Sequence, residues 1–196
     1  MEALPVKFSQ TTLTELMIPS YANFGGKIHG GILLSLMDKV AYACASKHAG
    51  AYCVTVSVDE VDFLQPVEVG ELVHLKASVN YVGNTSLVVG IQVTAENVKN
   101  HTIKHTNTSY FTMVAKDDDE KLTQVPPLIL EDMDQIRRFI EAIKRKNLKS
   151  ESRKAMKQVK SNFILVEDFP LLKDQRCETR LSKEGGDWDN LFAENN

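Results

Sequence analysis

Apolar residues along the first 116 positions recur with two different periods. Ile28, Leu33, Leu36, Met37, Val40, Ala41, Cys44 and Ala45 fall three and four apart, which predicts a helix from about His29 to His48 with Gly50 as its stop. Its apolar face is broad, interrupted only by Ser35, Asp38 and Lys39, so the helix is expected at the centre of the fold and largely buried. Downstream the period drops to two. Val73, Leu75, Ala77, Val79 and Tyr81 alternate with His74, Lys76, Ser78 and Asn80, and Leu87, Val89, Ile91 and Val93 repeat the alternation. Gly83-Asn84 supplies the turn between these runs, and Asn97 to His101 separates the second from a strand near Thr102 to Val114. Residues 10 to 22 predict a short strand closed at Pro19-Ser20, and the run from Tyr52 predicts another that ends at Pro66. One long helix followed by an antiparallel meander is an α+β pattern, with the helix against the concave face of the sheet.

The pattern changes after the charged run Lys116 to Lys121 and Pro126-Pro127. Between Glu131 and Lys160 only a narrow stripe of Ile136, Phe139, Ile140 and Ile143 interrupts the charge. Ten basic residues face five acidic ones there, which predicts a solvated basic helix over 129–160. The last stretch, 161–196, has few apolar groups and is expected to be irregular or partly disordered.

Composition adds mainly exclusions. The formal net charge is −3, with no global basic excess of the kind that nucleic-acid binding calls for. No apolar run approaches the length of a membrane span and the N-terminus has no apolar signal core, so a cytoplasmic protein is expected. Cys44, Cys53 and Cys177 are scattered without metal-ligand spacing, which fits a reducing compartment and suggests neither disulfides nor zinc. Cys44 is expected to be a small core residue, and Ser86 lacks both a nucleophile elbow and a histidine partner.

Ala22-Asn23, Gly26-Lys27-Ile28-His29-Gly30-Gly31 and Leu36-Met37-Asp38 stand in that order. They are followed by Val54 to Asp59, Val61-Asp62-Phe63, Tyr81 to Ser86 and Tyr110 to Ala115. This series resembles the hot-dog-fold acyl-CoA thioesterases of the cytosolic acyl-CoA hydrolase family, over roughly residues 8–128. The resemblance implies a central helix wrapped by a curved antiparallel sheet, with the charged helix as a C-terminal extension. It also implies dimers, and often trimers of dimers, with the active sites at dimer interfaces. The activity implied is hydrolysis of fatty acyl-CoA to the free acid and CoA, with no metal and no dissociable cofactor; CoA belongs to the substrate and product.

Thioester hydrolysis needs a nucleophile and donors for the developing oxyanion. Gly30 and Gly31 at a helix start would offer unpaired amides and close approach, or else they only make the turn. By resemblance Asp38 is the general base or the nucleophile; the alternative is a carboxylate bonded to a neighbouring strand or exposed. Asn23 matches a family asparagine that joins the aspartate from the opposite subunit, its bland alternative being a turn former. Thr55 and Ser57 either line the acyl channel or bond Asp38 from the adjoining strand. His29 is expected to pack or line the pocket rather than act as a base. Lys27 departs from the family pattern of a short polar residue, and contact with substrate phosphate is one use for it. The basic helix is either a CoA phosphate site or merely solvated. Two other functions fit less of this series: a hot-dog dehydratase or hydratase pairing His29 with Asp38, and a non-catalytic acyl-CoA sensor.

Overall fold

The structure, a computed structural model, describes residues 1–179. The last part of the expected irregular tail, 180–196, lies outside the described residues. A two-residue strand β1 (Leu4–Pro5) and a single turn α1 (Val6–Ser9) precede β2 (Thr11–Leu16). A 3₁₀ turn at Pro19–Tyr21 and a loop lead into α2 (Gly30–Ala49). There follow β3 (Tyr52–Val58), β4 (Leu72–Val82), β5 (Ser86–Asn97), β6 (Thr102–Lys116) and β7 (Leu128–Ile129). The charged helix is α3 (Met133–Ser161), and α4 (Leu165–Asp168) and a 3₁₀ turn (Phe169–Leu172) lie in the described part of the tail.

The chain divides into two compact units, Met1–Arg145 and Lys146 onward. The first holds a five-stranded antiparallel sheet in the order β2-β4-β5-β6-β3, and β1 pairs in parallel with β7. This is the hot-dog fold. Leu33, Leu36, Met37, Val40, Ala41, Cys44 and Ala45 on one face of α2 form a single core with the inward residues Val73, Leu75, Val79, Val89, Ile91, Phe111 and Met113. Gly50 ends the helix in the left-handed region, φ 62°, where a residue without a side chain is favoured.

Two expectations change. The helix is buried on one face only: Leu34, Ser35, Asp38, Lys39 and Tyr42 face outward in the protomer. The strand expected to run to Pro66 stops at Val58. Its ladder with β6 already shifts register between Thr55 and Ser57, and the Asp59, Asp62 and Pro66 that follow are poor strand formers. The backbone instead continues irregularly alongside β6, with Asp59 N–H donating to the Tyr110 carbonyl and Leu64 N–H to that of Thr106.

Within the first unit, the opening turns of α3 lie on the outer face of the sheet. Phe139 packs on Tyr81 with ring centroids 5.0 Å apart, the Arg145 guanidinium sits 3.4 Å over the Tyr110 ring, and Ala142 is buried. This portion of the helix, expected to be solvated, packs through residues whose aromatic partners lie on distant strands.

Candidate active site

The loop before α2 is pinned by its own hydrogen bonds. Asn23 Oδ1 accepts from the N–H of Gly25 at 2.9 Å and of Lys27 at 3.2 Å, while Asn23 N–H donates to the Lys27 carbonyl at 2.7 Å. Gly26, at φ 74°, occupies the left-handed position this turn requires. The side-chain oxygen of Asn23 is therefore spent on the turn, and its Nδ2 donor has no acceptor among the described residues. Beside it Phe24 is wholly exposed. Lys27 forms an ion pair with Glu68.

His29 caps α2. Its Nδ1 accepts from Gly31 N–H at 2.9 Å, which requires that ring nitrogen to be unprotonated. The Gly31 amide is thus occupied in this structure, whereas the Gly30 N–H, at the first helical position, has no intrahelical acceptor. A side chain on Gly31 would press on the capping ring at 3.1 Å, so the cap and the glycine are coupled.

Asp38 lies on the outward face of α2, exposed in the protomer. Thr55 on β3 reaches it, Oγ1 donating to Asp38 Oδ1 at 2.6 Å. The same hydroxyl lies 3.1 Å from Met113 Sδ, but its single proton is better used on the carboxylate. Ser57 follows across the register shift, opposite Thr112 and half-buried. A cavity of about 330 Å³ opens here, lined by Asp38, Tyr42, Tyr52, Val54, Thr55 and Met113 among others. Tyr42 and Tyr52 pack with centroids 5.9 Å apart. Neither tyrosine was singled out from the sequence, although Tyr42 is one turn beyond Asp38 on the same helical stripe.

The structure does not bring all the expected residues together. At a rise of 1.5 Å per residue, Asp38 stands roughly 12 Å along the axis from Gly30. An oxyanion donor and an attacking group must each lie within about 3 Å of adjacent atoms of one carbonyl. The glycine amides and Asp38 of one chain are too far apart to do so. Cys44, completely buried, has its thiol pushed up to about 12 by burial, so it holds no thiolate at neutral pH.

A sequence profile of the thioesterase superfamily matches residues 25–100, from Gly25 in this loop through α2, β3, β4 and β5. The chain is 46% identical over 138 residues to the protein VdlD of Helicobacter pylori, covering 70% of this chain and 79% of that one. Among solved structures, a hexameric acyl-CoA thioesterase in its apo form is 33% identical, with a TM-score of 0.76, 78% of this chain and 98% of that one being covered. An acyl-CoA hydrolase from Staphylococcus aureus, solved with butyryl coenzyme A, coenzyme A and coenzyme A disulfide, is 31% identical with a TM-score of 0.73, covering 81% of this chain and 97% of that one. The chain belongs to the hot-dog acyl-CoA thioesterases. Three alanine variants of the Staphylococcus hydrolase, at an asparagine, an aspartate and a threonine, share the fold with TM-scores of 0.75, 0.74 and 0.71. In this thioesterase no helix among the described residues is long and apolar enough to cross a membrane.

Proposed function

We propose that this thioesterase hydrolyses fatty acyl-CoA in the cytoplasm, at a site that two protomers complete together. The observation that carries the assignment is one of spacing. The asparagine, aspartate and threonine replaced in the Staphylococcus hydrolase follow one another at intervals of 15 and 17 residues, the intervals that separate Asn23, Asp38 and Thr55. The axial distance along α2 supports the rest, because donors and carboxylate can flank one carbonyl only if they come from different chains.

In this reading Thr55 holds Asp38 Oδ1, and Oδ2 takes a proton from water as the water oxygen attacks the thioester carbon. The oxyanion is met by the Gly30 and Gly31 amides of the other protomer, at the positive end of its α2. Gly31 serves once the His29 ring yields its N–H. Asn23 of that same protomer turns its free Nδ2 donor toward the carbonyl or the water. As the carbon–sulfur bond breaks, Asp38 returns the proton to the departing thiolate. This chemistry uses no metal and no dissociable cofactor.

Self-association as a dimer is supported by the surface around the site, and assembly into a trimer of dimers by the likeness to a hexameric acyl-CoA thioesterase. β3 is an edge strand, and Val56, Val58, Leu34 and Tyr42 are exposed beside it. The His29–Asp38 pair that a dehydratase reading needs is weakened by the His29 bond to Gly31 and by the length of helix between them.

The test is thiol release from acyl-CoAs of graded chain length by the wild type and Asp38→Ala. The reading requires turnover of long-chain substrates and a fall in kcat of roughly 10²- to 10⁴-fold in the variant. Absence of thiol release at every chain length would remove the activity; full activity of the variant would remove only the role of Asp38.

A further inference from the structure

The outer face of the sheet carries a second cavity, which the hydrolysis site does not use. It measures about 410 Å³ and lies beside β4, β5 and β6 under the first turns of α3. Ser78, Gly90 and Tyr110 stand opposite one another in its floor, in register across three strands. On β6, Tyr110 is an odd number of residues from Met113, which lines the cavity at Asp38, so the two side chains leave opposite faces of the sheet.

The floor contains a built donor. The β4 ladder shifts register between Val79 and Tyr81, leaving Asn80 as the extra residue, and bulges of this kind re-aim a side chain. The Asn80 amide nitrogen comes within 2.2 Å of where a Cβ on residue 90 would stand, so a side chain there would displace the amide. Asn80 and Ser78 are each only 6% exposed, and both line the cavity. Their neighbours match this orientation of the amide. Arg138 Nη1, which can only donate, lies 3.5 Å from Ser78 Oγ; Ser78 in turn donates to Asn80 Oδ1 at 2.9 Å. Asn80 Nδ2 keeps its protons for the cavity, with no acceptor among the described residues.

The walls add positive charge. Arg137 and Arg138 share Asp134, and Arg137 also meets Glu141, the one carboxylate in the lining. Lys76 has no ion-pair partner among the described residues. A floor that offers a buried amide donor, walled by two ion-paired guanidinium groups and an ammonium, suits a ligand made of acceptor oxygens.

We propose that this cavity binds a phosphoryl anion, with its oxygens accepting from Asn80 Nδ2, Arg138 and Lys76. The phosphates of a CoA molecule and those of a free phosphorylated compound share this chemistry. Isothermal titration of the full chain with inorganic pyrophosphate tests the site itself. The wild type should bind; Asn80→Asp, which puts a carboxylate in place of the amide, should abolish binding, and the exposed Lys76→Ala should weaken it by about tenfold. Absence of wild-type binding at millimolar pyrophosphate would overturn the proposal, as would folded Lys76→Ala and Asn80→Asp that both bind like the wild type. Steady-state hydrolysis by Lys76→Ala then separates the sources. A raised KM at unchanged kcat assigns the anion to the substrate, and an unchanged KM beside weakened pyrophosphate binding assigns it to a separate effector. Neither arm depends on Asp38 or on the two-protomer reading.

Discussion

The Thr55 hydroxyl donates to Asp38 Oδ1 at 2.6 Å, bridging β3 and α2. That bond leaves Oδ2 as the free oxygen of the carboxylate and fixes the side chain on an otherwise exposed helical face. Thr55→Val keeps the branched shape and removes the donor. It should lower kcat by about 10- to 100-fold, the loss of one charge-assisted hydrogen bond, with the melting temperature nearly unchanged because Thr55 is exposed. Thr55→Ser should keep most of the activity. Equal activity of the valine and serine variants in the thiol-release assay would show that the hydroxyl is idle.

The bond from Gly31 N–H to His29 Nδ1 gives the loop histidine a structural task. His29→Ala should cost about 1 kcal/mol in denaturant unfolding, the usual worth of a helix N-cap, and His29→Asn should recover most of it. If the alanine and asparagine variants unfold at the same denaturant concentration, the ring contributes nothing as a cap.

His48, 1% exposed, donates through Nε2 to the Pro126 carbonyl at 2.9 Å and tethers the segment after β6 to the end of α2. Burial lowers its pKa from the ordinary 6.5, outweighing the opposing effect of that hydrogen bond. The unfolded chain therefore binds a proton that the folded one resists. Stability is complete above the unfolded value and is lost as pH falls through about 6.5 toward the lower folded value. The melting temperature should drop between pH 7.5 and 5.5, and this part of the drop should shrink in His48→Gln. An identical pH profile in the variant would assign the acid sensitivity elsewhere.

Val56 is exposed on the edge strand, at the register shift beside Thr55. Val56→Lys blunts that edge. The variant should remain folded by circular dichroism, elute as a smaller species than the wild type and lose hydrolysis at the same time. A dissociated protomer with wild-type kcat would contradict a shared site.

The succession of strands along the chain, the meander of β4, β5 and β6 and the position of α2 are legible in the sequence, because each rests on a period or on a block of the family resemblance. The places of β2 and β3 at the sheet edges carry no such signal, and the bond from Thr55 to Asp38 is one of two readings the sequence leaves open. What was not legible depends on third parties. The half-exposure of α2 follows from the sheet covering only one of its faces. The cap at His29 depends on a side chain folding back two residues, which no periodicity signals. Asn80 reads as an ordinary outward residue of an alternating strand, and only the register shift after Val79 and the glycine opposite turn its amide into a cavity floor. Arg145 reads as one charge among many until Tyr110, 35 residues earlier, appears beneath it.

The central claim is that Asn23 and the amides at the start of α2 work with Asp38 of another protomer. Co-expressing Asn23→Ala and Asp38→Ala chains under separate affinity tags tests it directly, since each alone should be nearly inactive. In a dimer of one chain of each kind, one of the two sites receives both wild-type residues, so random assembly should restore about a quarter of wild-type kcat per site. Doubly purified mixed oligomers that stay as inactive as either parent would contradict a site built across two protomers.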